Sequence, residues 1–349
     1  MESIRVLVVD DSALFRTLMR NALTEIPGCE VVGSVADGET ALARIDELKP
    51  DLVTLDVEMP GMSGIAVLKE LRRRRLKTRV VMVSRLTAAG AQVTTDALMQ
   101  GAFDFILKPH GKDPAANKEA LSLALREKIQ SLQEALNPVP HSPPEPTDRE
   151  ERKTPTKPAT TCKAVIIGSS TGGPDALAQL LPYLSVELPV PVVVVQHMPE
   201  RFTGSLANRL NEASDLEIVE AADKMPLNPG KIVIAHGGKH LRLVRRPSGA
   251  VVAQLTEDPH EHSCRPAVDY TLRSAVDAFD GPILVVILTG MGRDGTEGCR
   301  LVRQRGGQVI AQHSDGCTVY GMPKSVIAAG QADQILRLAD IGPAIEAAV

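Results

Sequence analysis

Short apolar runs alternate with amphipathic stretches along most of the chain. Runs such as residues 4–9 and 164–167 are rich in β-branched residues and too short for typical helices, which predicts buried strands. Between the runs, apolar residues recur at helical spacing, as in Leu14, Leu18 and Leu23. Because strands that alternate with helices form parallel sheets covered on both faces, the pattern predicts an α/β fold.

The pattern divides into two parts with separate sets of elements. In the first part, the predicted strands are 4–9, 30–34, 51–55, 80–83 and 103–107. Helices are predicted at 37–48, with Asp37 as the N-cap, and at 65–71. In the second part, the predicted strands are 164–167, 189–196, 216–219, 231–235, 308–311 and 335–338, with 282–288 as the longest apolar strand. A hairpin is predicted at 241–255, and helices at 200–213 and 266–279.

Residues 126–160 separate the two parts. They begin with the end of a polar helix and continue as NPVPHSPPEPTDREERKTPTKPAT, which combines many prolines and charges with almost no apolar residue. Such a segment cannot bury a core, so it predicts an extended, mobile tether. The predicted domains are therefore residues 1–125 and 161–349, each long enough to bury its own core.

Composition narrows the class of protein. With 43% hydrophobic and 23% charged residues, the chain is an ordinary globular protein. Its net charge of −4 gives no electrostatic case for binding nucleic acid or an anionic membrane. The five cysteines are scattered without a CxxC pair, which favours reduced thiols over a disulfide framework or a zinc site. Without a signal peptide or an apolar run of membrane-spanning length, we expect a cytoplasmic protein with no direct membrane insertion.

Five polar residues directly follow predicted strands of the first part. They are Asp10, Asp11, Asp56, Ser84 and Lys108. Because the carboxyl ends of parallel strands meet at one crevice, the three carboxylates predict a Mg²⁺ site there. Asp56 is then a candidate phosphoryl acceptor, with Lys108 and Ser84 contacting the phosphoryl oxygens. The alternative is that these residues are only helix caps.

The first part resembles the response-regulator receiver domains. The resemblance rests on VVDDS, LDVEMPGMSG, the strand-end serine and the Lys-Pro pair at 108–109. It implies a flavodoxin-like, doubly wound parallel sheet of five strands. It also implies phosphorylation of Asp56 by a chemotaxis histidine kinase, with Mg²⁺ held by Asp10, Asp11 and Asp56.

The same resemblance implies a switch that responds to phosphorylation. Ser84 and Phe105 would change position when the acceptor is phosphorylated, and Lys108 would contact the phosphoryl group. Arg85 departs from the small residue that is common after the switch serine.

A glycine-rich turn follows the first strand of the second part. Residues 168–172, GSSTG, match G-x-S-x-G between a predicted strand and a helix that begins near Pro174. Such a turn exposes the hydroxyl of Ser170 beside backbone amides that can hold an oxyanion. A glycine-rich loop that binds phosphate without chemistry remains an equal alternative.

Two further polar residues follow strong strands of the second part. His197 comes after the run 189–196, and Asp294 follows the run 282–288. If the strands are neighbours, Ser170, His197 and Asp294 form a nucleophile, a general base and an orienting carboxylate. Alternatively, a backbone carbonyl satisfies His197 and Asp294 caps the next helix in a capping box with Glu297. His260 and His262 form a lone H-x-H, for which we favour a surface loop over a metal site.

The second part resembles the catalytic domain of the chemotaxis protein-glutamate methylesterases, the CheB family. The resemblance rests on GSSTGG, QHMP, LTGMGRDG and VYGMP, and on the order receiver, linker, esterase. It implies a second doubly wound, mainly parallel α/β domain. It also implies that Ser170 is the nucleophile, His197 the general base and Asp294 its partner, with backbone amides of Thr171 and Met291 as the oxyanion hole.

The activity implied by this resemblance is hydrolysis of glutamate γ-methyl esters on methyl-accepting chemoreceptors, with release of methanol. Deamidation of receptor glutamines would be a second activity, and the ester chemistry would need no cofactor. The receiver would inhibit the esterase until Asp56 is phosphorylated. Alternatives are a paralogous esterase of another signalling pathway and a response regulator with a binding-only output. Ser169 and Cys264 depart from the usual alanine and histidine.

Overall fold

The computed structural model describes residues 3–85, 87–111, 113–136 and 161–349. The chain forms two compact units, which divide between Gln133 and Glu134. The proline-rich part of the predicted tether, residues 137–160, lies outside the described residues. None of the helices in the described ranges is both long enough and apolar enough to span a bilayer.

The first unit contains a five-stranded sheet in which neighbouring strands are parallel. Its strands are β1 (Ile4–Val9), β2 (Cys29–Val35), β3 (Leu52–Asp56), β4 (Arg79–Ser84) and β5 (Asp104–Leu107). Their order, β2-β1-β3-β4-β5, places the reversal of winding between β1 and β3. In a doubly wound sheet, ligands bind outside the carboxyl ends of the strands at such a point. The predicted flavodoxin-like fold is confirmed.

The described residues of the first unit also form helices, the last of which continues past Gln133. They are α1 (Ala13–Thr24), α2 (Gly38–Leu48), α3 (Gly64–Arg73), α4 (Ala88–Met99) and α5 (Pro114–Leu136). The predicted cap of α2 is present, because the Asp37 carboxylate accepts a hydrogen bond from the amide of Thr40 at 2.8 Å. Sequence analysis did not predict α4. Its apolar and polar residues are poorly segregated, and Thr94 and Thr95 are buried in it.

The second unit contains a seven-stranded parallel sheet and a separate antiparallel hairpin. The sheet strands are β6 (Val165–Ser169), β7 (Val192–Gln196), β8 (Glu217–Glu220), β9 (Lys231–Ile234), β12 (Leu284–Ile287), β13 (Gln308–Gln312) and β14 (Gln334–Leu336). The hairpin strands are β10 (His240–Arg245) and β11 (Val251–Thr256), as the sequence predicts. The helices are α6 (Gly173–Leu180), α7 (Phe202–Glu212), α8 (Val268–Ala278), α9 (Thr296–Gln304), α10 (Met322–Ala328) and α11 (Leu338–Ala348).

The order of the large sheet is β14-β13-β12-β6-β7-β9-β8, so β12, β6 and β7 are adjacent at its centre. All residues of these three strands are buried. Parallel strands covered on both faces are expected to be continuous aliphatic runs, and the valine- and isoleucine-rich sequences fit that rule. The second predicted fold, a mainly parallel α/β domain, is confirmed.

Some predicted strands differ from those observed, and the predicted strand 189–196 begins only at Val192. The run 282–288 is not the longest strand, because β12 has only four residues whereas β6 and β7 have five. Pro282 has no backbone N–H and contributes only its carbonyl, which accepts from Lys163 at 2.8 Å. The predicted strand 335–338 ends earlier, because Leu338 begins α11.

Candidate active site

The turn after β6 places Ser170 between a strand and a helix. The Ser170 amide donates to the carbonyl of Thr289 at 3.0 Å, and its carbonyl accepts from Gly173 at 2.8 Å. Gly172 has φ of +79°, and a Cβ there would lie 2.3 Å from the Thr318 hydroxyl. Both features require glycine at that position. The turn therefore holds a half-buried serine against the segment that follows β12.

Gln196, the last residue of β7, joins the ends of two central strands. Its side-chain amide nitrogen donates to the carbonyl of Ser170 at 2.9 Å and to that of His197 at 3.2 Å. Its side-chain oxygen accepts from the hydroxyl of Ser169 at 2.6 Å. The sequence pattern does not predict this role. The only signal was a polar residue at the end of an otherwise apolar run.

We expect Ser169→Ala to lower the free energy of unfolding of the second unit by roughly 1–2 kcal/mol, because it leaves the buried Gln196 oxygen without its hydroxyl donor. Urea unfolding followed by circular dichroism measures this change. Since Gln196 keeps its bonds to both carbonyls, activity should change little. An unfolding curve that coincides with wild type would show that this hydrogen bond adds nothing to stability.

Asp294 is held at the N-terminus of α8. Its Oδ2 accepts from the amide of Val268 at 2.6 Å, and its Oδ1 from that of Asp269 at 2.8 Å. Its Oδ2 also lies 2.8 Å from Nε2 of His197. The alternative role as the cap of the following helix does not occur, because Gly295 is the N-cap of α9. The side chain is thus fixed by two amides and directed at the imidazole.

The electrostatics of this pair favour the charged forms of both groups. Burial lowers the pKa of His197, but its hydrogen bonds to Asp294 and Cys264 outweigh burial and raise it. Burial would raise the pKa of Asp294, yet the contacts with His197 and the two α8 amides lower it. The pair can therefore stabilise the imidazolium that forms when the histidine accepts a proton.

Ser170 lies beside this pair without a direct hydrogen bond to it. The backbone amide of His197 donates to the carbonyl of Ser169 at 3.0 Å, which places the histidine next to the serine turn. In the described part of the chain, however, the imidazole bonds Asp294 and the Cys264 thiol, and no hydrogen bond joins it to the Ser170 hydroxyl. Catalytic hydrogen bonds are often completed only when substrate binds.

The two residues predicted to form the oxyanion hole border the serine. Thr171 follows it directly, and its carbonyl accepts from the Thr289 hydroxyl at 2.9 Å. Met291 follows Gly290, whose backbone lies close to Ser170. A Cβ added at Gly290 would be only 2.8 Å from the Cβ of Ser170. The close approach of the backbone at Gly290 thus brings the Met291 segment to the serine turn.

The two histidines of H-x-H differ in their surroundings. His260 is exposed, as predicted. His262 is exposed as well, but its Nε2 donates to Oδ2 of Asp269 at 2.9 Å. Donor atoms of Glu261, His262 and Asp269 lie within 4.8 Å of one another, the spacing of a possible metal site. The carboxylate of Glu261, however, is engaged by the guanidinium of Arg273 through bonds of 2.6 and 2.5 Å.

The first unit has an acidic pocket at the switch point of its sheet. Carboxylate oxygens of Asp10, Asp11 and Asp56 lie within 4.8 Å of one another. The Lys108 ammonium is 2.6 Å from both Asp10 and Asp56. Burial raises the pKa of Asp56 to about 6 against the opposing effect of Lys108. Three carboxylates facing one ammonium offer the hard oxygen donors and the excess negative charge that suit a divalent cation.

The two predicted switch residues lie on the adjacent strands β4 and β5. Ser84 is 1% exposed, and its hydroxyl lies 3.4 Å from the carbonyl oxygen of Gly90 in α4. Phe105 lies on β5, which pairs with β4, and is 9% exposed. Arg85, directly after the serine, is exposed. The arginine is therefore accommodated at the surface without displacing the buried serine.

Comparison with known families decides the identity of both units. The family described as "CheB methylesterase" matches residues 165–345, and the "Response regulator receiver domain" matches residues 6–118. The chain belongs to the CheB methylesterase family. Two CheB-type relatives match nearly the whole chain. A protein-glutamate methylesterase/protein-glutamine glutaminase of Desulfotalea psychrophila is 43% identical over 99% of this chain and 98% of its own. One of Thermotoga maritima is 45% identical over 95% of both chains.

A solved structure agrees with the CheB assignment of the second unit. The crystal structure of the Thermotoga maritima CheB methylesterase catalytic domain is 45% identical, with a TM-score of 0.53. The match covers 54% of this chain and 100% of that domain. The family prediction made from the sequence motifs is thereby confirmed. Within this CheB fold, Ser169 binds Gln196 and Cys264 contacts the imidazole of His197, so both departures from the usual residues lie at the crevice.

Proposed function

We propose that the protein hydrolyses glutamate γ-methyl esters on the cytoplasmic regions of methyl-accepting chemoreceptors and releases methanol. Deamidation of receptor glutamines is the second activity, because an amide presents the same carbonyl to the same nucleophile. The names of the relatives support both activities. The observation that carries the proposal is the hydrogen-bonded His197–Asp294 pair beside the turn that holds the half-buried Ser170.

The proposed reaction has two acyl-transfer steps. The Ser170 hydroxyl attacks the ester carbonyl while His197 accepts its proton, and Asp294 stabilises the imidazolium. The oxyanion is held by backbone amides of Thr171 and Met291. His197 then protonates the departing methanol, which leaves an acyl-serine. Water attacks this ester, gives its proton to His197, and releases the receptor glutamate with the serine restored.

The proposed control acts through the acidic pocket of the first unit. We propose that Asp56 accepts a phosphoryl group from a chemotaxis histidine kinase. Asp10, Asp11 and Asp56 would hold Mg²⁺, which neutralises negative charge on the phosphoryl oxygens when bound. Lys108, now bound to two of these carboxylates, would contact the phosphoryl group, and Ser84 and Phe105 would respond to it. Release of inhibition of the esterase would follow.

The direct test measures methanol release from methylated receptor membranes, with and without a small-molecule phosphodonor and Mg²⁺. We expect methanol release that increases with the phosphodonor. The same assay with glutamine-bearing receptor should release ammonia. Absence of methanol release under both conditions would refute the esterase proposal. A gel-shift assay with DNA tests the binding-only alternative.

We expect Asp56→Asn to abolish the stimulation by phosphodonor while basal methanol release remains. The reason is that an amide cannot form the acyl phosphate. The measurement is the ratio of rates with and without phosphodonor. Asp46→Asn, which changes an exposed carboxylate of the same unit, is the matched control and should keep the ratio of wild type. Full stimulation of Asp56→Asn would show that another residue is the acceptor.

A further inference from the structure

A strained two-residue turn lies next to the candidate catalytic pair. Backbone bonds between Glu261 and Cys264 close the turn, with distances of 3.1 and 2.8 Å. His262 and Ser263, its two central residues, have φ of +51° and +61°. Such turns usually place asparagine or glycine there, because other residues pay roughly 1 kcal/mol or more for a left-handed backbone. Strain of this kind is typical of functional sites.

The turn directs the imidazole of His262 between two buried carboxylates. Its Nε2 is 2.9 Å from Oδ2 of Asp269 and 3.8 Å from Oδ1 of Asp294. Asp269 is 1% exposed and Asp294 is 2% exposed. Burial raises the pKa of Asp269, and the charge of Asp294 raises it further. Two adjacent buried carboxylates repel one another unless a positive group lies between them.

We propose that His262 is a positioning residue for the esterase: its Nε2–H, donated to Asp269 close to Asp294, lets the two buried carboxylates lie side by side and so keeps Asp294 ionised and directed at His197. This inference rests on the proposed function. His262 acts through Asp294 and touches neither the substrate nor the reacting atoms. Its role is to let two buried carboxylates coexist while one of them serves the general base.

The charges around His262 balance in a specific way. The acidic groups facing it are Asp269 on α8, Asp294 before α9, and Glu261 on its own turn. The positive groups are Arg273 on α8, which pairs with Glu261, and His197 after β7, which pairs with Asp294. The thiols of Cys264 and Cys299 complete the ionisable neighbours. Arg273 thus offsets Glu261 and His197 offsets Asp294, while Asp269 accepts the Nε2–H of His262.

Loss of His262 changes the proton affinity of the neighbouring groups in one direction. Removing the Nε2–H that is donated to Asp269 favours proton uptake by the cluster, whichever group carries the proton. The competent form needs a neutral His197 beside an ionised Asp294, which has one proton fewer than the resting pair. That form therefore appears only at higher pH when His262 is replaced.

The first experiment compares pH profiles of kcat/KM for methanol release by wild type and His262→Asn. Asparagine tolerates the left-handed backbone, so this variant should fold. The acid limb of this profile is the pH range in which kcat/KM rises. We expect this limb to lie about one pH unit higher in His262→Asn, so that activity at a given pH on the limb is roughly tenfold lower, with little change in KM. His260→Asn, at an exposed position two residues earlier, is the matched control and should keep the profile of wild type.

A double variant separates charge from structure. In His262→Asn/Asp269→Asn, the donor and the carboxylate that accepts from it are both removed, so we expect the acid limb to return toward its wild-type pH. A limb that stays at the wild-type pH in His262→Asn would overturn the proposal. So would a double variant whose limb moves further upward. Both outcomes can be observed only if the wild-type protein releases methanol.

A substrate-independent readout distinguishes failure of this inference from failure of the proposed function. A sulfonyl fluoride modifies an activated serine with release of fluoride, and its rate depends on the same general base. The pH profile of Ser170 modification should show the same upward shift in His262→Asn. If wild type releases no methanol but the sulfonylation limb still shifts, the substrate proposal fails and the role of His262 stands. If the limb does not shift, the role of His262 is refuted.

Discussion

Replacement of Ser170 by alanine is expected to lower kcat for methanol release by about 10⁵–10⁶-fold, because the reaction loses its proposed nucleophile. The hydroxyl makes no hydrogen bond to His197 in the described structure, and the turn is held by backbone atoms. The variant should therefore unfold at the same urea concentration as wild type. Methanol release from methylated receptor and circular dichroism measure the two quantities.

Ser169→Ala is the control for Ser170→Ala, since it removes the neighbouring hydroxyl and leaves the proposed nucleophile. We expect it to retain most activity despite its lower stability. If Ser170→Ala retained comparable turnover, the nucleophile would be a different residue. An unfolded Ser170→Ala would be recognised by its circular dichroism spectrum, and Ser170→Gly would then serve as the second variant.

Asp294→Asn is expected to lower kcat by about 10⁴-fold, because an amide no longer stabilises the imidazolium or fixes its tautomer. The pH profile should also change. The charge of Asp294 raises the pKa of His197, so its removal lowers that pKa. His197 must be neutral to accept a proton. The rise of residual activity with pH should therefore occur at lower pH in Asp294→Asn than in wild type. This direction is opposite to that expected for His262→Asn.

Glu297→Gln provides the control for Asp294→Asn. Glu297 lies three residues further along and forms an exposed pair with Arg300, so its neutralisation should leave both kcat and the pH profile unchanged. A pH–rate limb that stays in place in Asp294→Asn would show that this carboxylate does not set the protonation of His197.

Much of the fold was predictable because the strands are buried on both faces. Such strands are continuous aliphatic runs, and polar residues begin where they end. That contrast located Ser170, His197 and Asp294 along the chain, and the sheet order brings their strands together. The same contrast located the acidic pocket of the first unit, where strand-end carboxylates converge.

The groups that support the candidate catalytic pair were not predictable in this way. His262 is on a polar turn, where a histidine indicates a surface loop, and no glycine marks the left-handed backbone. Asp269 lies on α8, whose apolar spacing predicts the helix but not which polar side chain is buried. Gln196 is the last residue of a predicted strand, and its position gives no sign that its side chain joins two strand ends. Each role depends on contacts between segments distant in sequence, which periodicity does not report.

The order of the large sheet also bears on how the molecule loses structure. β12, β6 and β7 are central, whereas β14 and β8 form the two edges. Edge strands exchange their amide hydrogens through local fraying, while central strands exchange only when the whole sheet opens. The strands before Ser170, His197 and Asp294 therefore belong to the slowest-exchanging part of the domain. Fraying at either edge leaves the crevice assembled, so partially opened molecules retain all three proposed catalytic residues.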